Sequence, residues 1–524
     1  MDAPRSQARL SPPMLYSQDI PQTHPLFLPE LLDLVSGLLD TSDWLALMRT
    51  CRPMFPVIAS RVWREIEAQV IMDLIVETSR TDVTSSDDSN HVVGRVRGLC
   101  IDIQADPVVF QLNLQAEPAF GLTRFDIYAP FVRQLRVYGR TARYFKGERR
   151  RICTRRAEEG MLLPSVTSVT LLTSDLDTDS AAVFWLDLFL MPSLRELNVK
   201  PATKTSTAWV SYSVASKILG QLTTTCSDIE RLEFYPKEIT RDGGERGVYD
   251  VASRLALFSP RDFCSCTQLR RVTSSISILS DGGLSALSGL PRLYYLSLHG
   301  CGEQLKSLQL SAPDGSFSSL THLSLLDMNA VTLAAIMGVK PLSRGLTSLR
   351  IGQIFEGSIR HHNELCGQQL DQTFPCLLEH TTHLKSLSYD VTHTSSKLYH
   401  GQFFVYTIEP LPFLQLMSRS PLQQVSLLGL RFNWRCEWFK LIPMAFPRVT
   451  SFRMPHQNIN SAGLPWLVEL PYLRHLVLSE VSLSLPFPGS SGVSGPLETL
   501  DATISLATNY YTGTSVISAE QGAR

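Results

Sequence analysis

One short phrase recurs along most of this chain and restricts what it can fold into. It reads apolar-x-x-apolar-x-apolar and begins at Val96 (VRGLCI), Val132 (VRQLRV), Val166 (VTSVTL), Leu194 (LRELNV), Ile229 (IERLEF), Leu269 (LRRVTS) and Leu293 (LYYLSL). It continues at Leu320 (LTHLSL), Leu346 (LTSLRI), Leu384 (LKSLSY), Leu422 (LQQVSL), Val449 (VTSFRM), Leu473 (LRHLVL) and Leu497 (LETLDA). Pro164, Pro192, Pro291, Pro447 and Pro471 lead in to several of these. A short strand with this pattern points alternate side chains inward, while its first apolar residue packs one layer earlier. No such unit can bury its apolar face alone, so successive units must stack and share one core.

Seven of the thirteen steps between starts are 24 to 28 residues, the spacing of leucine-rich repeats, and the other six are 34 to 40. Helically spaced apolar segments lie between the phrases: Val214, Ala215, Ile218, Leu219 and Leu222, then Leu411, Leu414, Leu416 and Met417. Strand alternating with helix predicts an α/β solenoid, with parallel strands on the concave face and helices or loops on the convex face. Leucine-rich repeats usually place Asn or Cys three residues beyond the last apolar position, and here only Cys301 stands there. The expectation is therefore an irregular solenoid over residues 92–510. Polar insertions at residues 139–160, 237–249, 391–401 and 486–496 map to loops.

Ahead of the repeats, residues 26–77 predict three short helices. Pro29 suits a first helical turn, and Leu31, Leu32, Val35, Leu38 and Leu39 follow at helical spacing. Thr41, Ser42 and Asp43 are N-cap types before Leu45, Met48 and Cys51. Phe55, Ile58, Val62, Trp63 and Ile66 form a third stripe, and Ala68 to Glu77 extends it. Forty residues carry more large apolar side chains here than so small a bundle hides. Residues 1–25 read as a disordered tail, 78–91 as a solvated linker and 511–524 as a C-terminal tail.

The Leu28-Pro29-Glu30 start, the Leu-rich first helix, Asp40 to Leu45, Met48-Arg49-Thr50-Cys51-Arg52 and Val62-Trp63-Arg64 resemble an F-box. The local wording is similar to that of F-box proteins of mushroom-forming fungi. The resemblance implies a three-helix bundle that grips the Skp adaptor and through it a cullin scaffold and a ubiquitin-transferring RING module. Carried onto this sequence, Leu28, Pro29, Leu32, Val35, Leu39, Leu45, Met48 and Trp63 supply adaptor contact or bundle packing. Pro29 sets the first turn, the leucines fill an apolar groove and Trp63 closes the bundle. Two features depart from the pattern: Glu30 follows Leu-Pro directly, and Gly37 stands inside the first helix at a cost of about 1 kcal/mol. They favour an alternative, a repeat scaffold whose bundle is only a structural cap.

Composition narrows the remaining classes. The 524 residues carry a formal charge of −1 with a pI near 6.9, which argues against nucleic acid or anionic lipid as a partner. The longest apolar run, Ala181 to Met191, contains Asp187 and is too short for a membrane span. Ten cysteines without a paired framework fit an intracellular address, cytoplasm or nucleus. No phosphate-cradling glycine loop or nucleophile elbow occurs, and Cys264-Ser265-Cys266 lacks a second pair at zinc spacing. No catalytic residue, metal site or cofactor is expected, so the chain reads as a non-enzyme. Arg149, Arg150, Arg151, Arg155 and Arg156 form the densest cationic cluster, offset by Glu148, Glu158 and Glu159. Tyr294 and Tyr295 are the weak candidates for target contact, because one of an adjacent pair on a strand must face outward.

Overall fold

The computed structural model describes residues 29–50, 55–81, 93–96, 99–102, 124–138, 161–173, 188–201, 209–237, 260–280, 282–300, 310–353, 380–391, 405–433, 436–460, 469–484 and 497–507, with a few isolated positions besides. The chain divides into two compact units, Met1–Val169 and Thr170–Arg524.

The first unit opens with helices α1 (Pro29–Leu38), α2 (Thr41–Thr50) and α3 (Phe55–Val62), and both α1 and α2 pack on α3. The cap of α2 is Asp40, one residue ahead of the expected candidates. Its Oδ1 accepts from the Asp43 backbone N–H at 2.9 Å and from the Ser42 hydroxyl at 2.6 Å. The Asp43 carboxylate in turn accepts the Asp40 N–H at 3.4 Å, the reciprocal arrangement of a capping box. Asp40 is fully exposed, and these donors, Ser42 first, hold its carboxyl below the usual range.

The third apolar stripe does not run on as one helix. Strand β1 (Glu65–Glu67) interrupts it, and α4 (Ala68–Thr81) begins afterwards, reaching into the stretch expected to be linker. Trp63 stacks on Tyr128 at a centroid distance of 4.2 Å and 10°, and Phe55 meets Tyr128 and Phe131 at 6.1 and 6.3 Å. The bundle's surplus apolar surface is thus partly covered by the segment Arg124–Phe131 of its own unit. Burial raises the Tyr128 phenol above its ordinary value.

Two expectations change in this unit. The phrase at Val96 forms no stacked repeat: β2 (Val93–Val96) pairs antiparallel with β3 (Leu99–Asp102) in a separate two-stranded sheet. A connection of only two residues, Arg97-Gly98, suits a hairpin, whereas parallel strands need a long crossover. Conversely, β1 is a repeat-like strand that the phrase did not predict. It pairs in parallel with β4 (Gln134–Tyr138) in the register Ile66 to Leu135, and the Arg64 carbonyl accepts the N–H groups of both Arg133 and Gln134. Strand β5 (Ser168–Thr173) repeats the pattern on the Arg133 carbonyl.

The second unit is built from β6 (Glu196–Pro201), β7 (Trp209–Ser211), β8 (Arg231–Lys237), β9 (Arg271–Ser275), β10 (Tyr295–His299), β11 (His322–Met328), β12 (Ser348–Gln353), β13 (Ser386–Asp390), β14 (Tyr406–Ile408), β15 (Gln424–Leu428), β16 (Leu430–Phe432), β17 (Ser451–Asn460), β18 (His475–Ser484) and β19 (Thr499–Ala507). The sheet order β6-β8-β9-β10-β11-β12-β13-β15-β17-β18-β19 follows the sequence, and its strands pair in parallel. β14 and β16 form their own parallel pair. This is a leucine-rich-repeat-like α/β stack. The return paths carry helices, including Tyr212–Thr225, with Val214, Ala215, Ile218, Leu219 and Leu222 buried as the spacing predicts. The helix Pro410–Met417 buries Phe413, Leu414 and Met417. Asn329 caps the helix Ala330–Met337 by accepting from the Thr332 N–H at 2.9 Å.

Each repeat is joined to the next by one shared device. The carbonyl of the residue directly after the phrase's first apolar position accepts two successive N–H groups from the start of the following strand. Arg270 O takes Tyr294 and Tyr295, Tyr294 O takes Thr321 and His322, and Thr347 O takes Lys385 and Ser386. The phrase positions supply the core: Leu293, Leu296 and Leu298, like Leu320, Leu323 and Leu325, are almost wholly buried. Burial of each such leucine contributes roughly 1.5–3 kcal/mol.

The missing Asn or Cys ladder is replaced by other polar groups. Ser275 donates to the Pro236 carbonyl, Tyr389 donates to Gln353 Oε1, and the Phe432 N–H donates to Gln457 Oε1 at 2.7 Å. In the turn before the strands, Cys226 Sγ donates to the Met191 carbonyl at 3.3 Å and Ser420 Oγ to the Thr381 carbonyl at 3.2 Å. All of these but the side-chain pair Tyr389–Gln353 satisfy a backbone group that a packed bend would otherwise orphan. The position of Cys301 lies outside the described residues. Gly300 is required for spacing: a Cβ there would stand 1.9 Å from the Asp327 carbonyl oxygen.

Candidate interaction surfaces

Two surfaces stand out, one on each unit. On the first, α1 turns Leu31, Leu34, Val35 and Leu38 toward solvent, 40, 65, 36 and 82 % exposed. Their spacing is i, i+3, i+4, i+7, so four large apolar side chains form one continuous stripe. Of the residues expected to face the adaptor, Val35 lies in this stripe. Leu39, Leu45 and Met48 are half-buried, and Trp63 is half-buried against Tyr128. Leu28 lies outside the described residues; Pro29 and Leu32 fall within α1, with side chains outside them. Leu34 was not singled out from the sequence, although its spacing from Leu31 and Leu38 was present there. An apolar helix face of this kind marks a candidate interaction site.

The second surface is the strand face of the repeats. Both tyrosines of the adjacent pair are half-exposed. The Arg271 guanidinium sits 4.6 Å over the Tyr295 ring, and the His322 ring lies 6.2 Å from Tyr294 and 6.4 Å from Tyr295. Nearer the start of the unit, Lys237 Nζ lies 4.9 Å over Trp209, and Tyr235 meets Trp209 at 6.3 Å and His299 at 5.1 Å, both edge-on. The Tyr235 hydroxyl donates to Glu233 at 3.0 Å, and Glu233 also pairs with Lys200 at 3.3 Å. Burial, with the neighbouring Glu233 charge, raises the Tyr235 phenol far above its ordinary value, so it serves as a neutral donor.

Other expected features have other places. Cys266 is buried and its thiol is pushed up to about 11 by burial, while Cys264 is exposed. Cys264, Arg261, Gly282 and Ser285 border an open depression of about 400 Å³ on the helical side. Among the arginines of the basic cluster only Arg151 is described, and it is exposed. Among the described residues no helix is long and apolar enough to cross a membrane.

No protein-family model matches this sequence, and no curated protein matches it either. Among solved structures, the plant peptide hormone receptor RGFR1 in complex with RGF2 aligns with 66 % of this chain and 48 % of its own at 13 % identity and a TM-score of 0.25. The PEPR1–AtPEP1 structure aligns with 72 % of this chain and 49 % of its own at 12 % identity and a TM-score of 0.24. The chain thus spans about half the length of these neighbours. Scores this low carry no argument, and the repeat architecture rests on the strand register and shared carbonyls of the chain itself.

Proposed function

We propose that this chain is a non-enzymatic, intracellular substrate-recognition subunit of an SCF-type cullin–RING ubiquitin ligase. The N-terminal bundle docks on the Skp adaptor, and the repeat stack holds a target protein. The observation that carries the first half is the exposed stripe Leu31, Leu34, Val35 and Leu38 on α1, within the segment that resembles an F-box. Burying several leucines in a partner's groove supplies the scale of energy such docking needs, about 1.5–3 kcal/mol for each side chain fully covered. A stack of parallel strands with an exposed polar and aromatic face is suited to holding a protein. Its contribution to ubiquitin transfer is proximity, by raising the effective concentration of target lysines near the donor.

The test is binding of the purified chain to a Skp adaptor, beside Leu34→Asp/Leu38→Asp and Leu28→Ala/Pro29→Ala variants. Wild-type dissociation at or below micromolar, roughly −8 kcal/mol, with loss in the variants and unchanged thermal melting, supports the ligase reading. Absence of wild-type binding overturns it and favours a repeat scaffold with a helical cap, the reading to which Gly37 and the tightened Leu-Pro-Glu spacing point.

A further inference from the structure

The strand face carries a charge pattern that identifies the chemistry of its partner. Each phrase turns three positions to the strand face: the two residues after its first apolar residue, and the one between its last two, the last buried at Ser297 and Ser324. On the eight strands β9 to β13, β15, β17 and β18, none of these positions holds Asp or Glu. The same positions hold Arg270, Arg271, Arg350, Lys385, Arg453 and Arg474. The chain as a whole has 48 basic and 49 acidic residues, so the separation is local. Carboxylates close the stretch at both ends. Glu230 reaches Arg270 at 3.6 Å, and Glu498 reaches Arg474 at 3.7 Å. Three acids stand farther along strands within the stretch: Asp390, two residues beyond its strand's last such position, and Asp327 and Glu480, each three residues beyond.

Arg350 and Arg453 are the centre of this field. Both are exposed, and neither has an anionic partner among the described residues. Register places Arg350, Ser388, Ser426 and Arg453 in one row across four neighbouring strands. Small hydroxyl side chains thus floor the gap between two free guanidiniums. At about 4.8 Å per strand the two arginines stand roughly 14 Å apart at their backbones. An extended peptide rises about 3.4 Å per residue and repeats its face every second residue, so acids at i and i+4 span nearly the same distance.

We infer that this face binds an acidic, extended polypeptide segment, whose carboxylates at i and i+4 pair with Arg350 and Arg453. The inference names the partner chemistry of the target-holding face in the proposed function, and rests on that reading only for the biological use of the site. A nucleic acid is the less suited anion. Its charges follow in unbroken succession, whereas this field has two free arginines separated by serines and is bounded by Glu230 and Glu498.

The experiment uses the full chain and fluorescein-labelled twelve-residue peptides with Glu at i and i+4, against matched peptides with Gln at both places. Anisotropy is read at low and at physiological salt, with wild type, Arg350→Glu/Arg453→Glu, and Lys340→Glu, a charge reversal on a helix away from the strand row. Binding of the Glu peptide that weakens about tenfold or more in the double variant, and stays within about twofold in Lys340→Glu, supports the inference. Equal binding of Glu and Gln peptides, equal loss in Lys340→Glu, or tighter binding of a single-stranded oligonucleotide through the same arginines overturns it. Matching circular dichroism and melting curves establish that the variants are folded. The Leu34→Asp/Leu38→Asp variant separates the two ideas: peptide binding survives there even if the adaptor never binds.

Discussion

Tyr389 on β13 donates its phenolic proton to Gln353 Oε1 on β12, joining two neighbouring repeats through a pair that is wholly buried. The two residues are 36 apart in sequence, and nothing local to either announces the other. The bond joins two side chains, so it ties the repeats together without satisfying a backbone group.

Removing one member should therefore cost more than removing both. Tyr389→Phe leaves the Gln353 acceptor without that donor and is expected to destabilise by about 1–3 kcal/mol. Tyr389→Phe combined with Gln353→Met is expected to recover part of that loss. Urea melts of the four species give the coupling energy, and additive losses would refute the pairing as the source.

The stripe on α1 should be free of structural cost. Leu34→Asp and Leu38→Asp change side chains already 65 and 82 % exposed, so stability should move by no more than about 0.5 kcal/mol. Leu296→Ala or Leu325→Ala, in the wholly buried phrase positions, should cost about 2–5 kcal/mol. Thermal or denaturant melts of the four variants check the contrast.

The buried thiols should behave as neutral packing groups. Cys226 is pushed up to about 12 and Cys266 to about 11, in both cases chiefly by burial. Unfolded thiols ionise near pH 8.5. The native state thus holds protons that the unfolded state releases, and the stability these groups contribute is whole below about pH 8.5 and falls as pH rises toward 11 to 12. Iodoacetamide at pH 8 should label the exposed Cys264 and spare Cys226, Cys266 and the buried Cys153, as peptide mass spectrometry would read.

Closing the gap at Gly300 should be costly. Gly300→Ala puts a methyl within 1.9 Å of the Asp327 carbonyl, so backbone has to move, and a loss of about 2 kcal/mol or more is expected. Gly315→Ala offers a comparison: it has open space but a φ of +85°, so its strain is conformational and of order 1 kcal/mol.

Much of the second unit was legible because its signal is periodic. Leu293, Leu296 and Leu298 occupy one repeated pattern, and burying that pattern leaves few options beyond stacking in order. Strand β1 escaped because Trp63-Arg64-Glu65-Ile66-Glu67-Ala68 ends on a small residue, and its neighbours read as continuous helix. Val96 misled for the opposite reason: its apolar residues fit the phrase, but Arg97-Gly98 shortens the connection. On α1, apolar residues lie on more than one side, so only tertiary packing decides that Leu31, Leu34, Val35 and Leu38 remain open. The substitutes for the asparagine ladder were invisible because Ser275, Gln353 and Gln457 find partners 25 to 39 residues away.

The shared carbonyls also bear on how the chain reaches this state. Among the described residues, each rung of the second unit's main sheet joins a strand to the next member of that sheet in sequence, with β7, β14 and β16 off its path, and no strand waits for a segment hundreds of residues distant. Parallel sheets ordinarily have high contact order and assemble slowly, because chain-closure entropy is lost before pairing returns it. Here each closure spans a few tens of residues, so a formed repeat is a template on which its neighbour can condense. Growth from either side of an early pair such as β10 and β11 can proceed while the chain is still emerging from the ribosome.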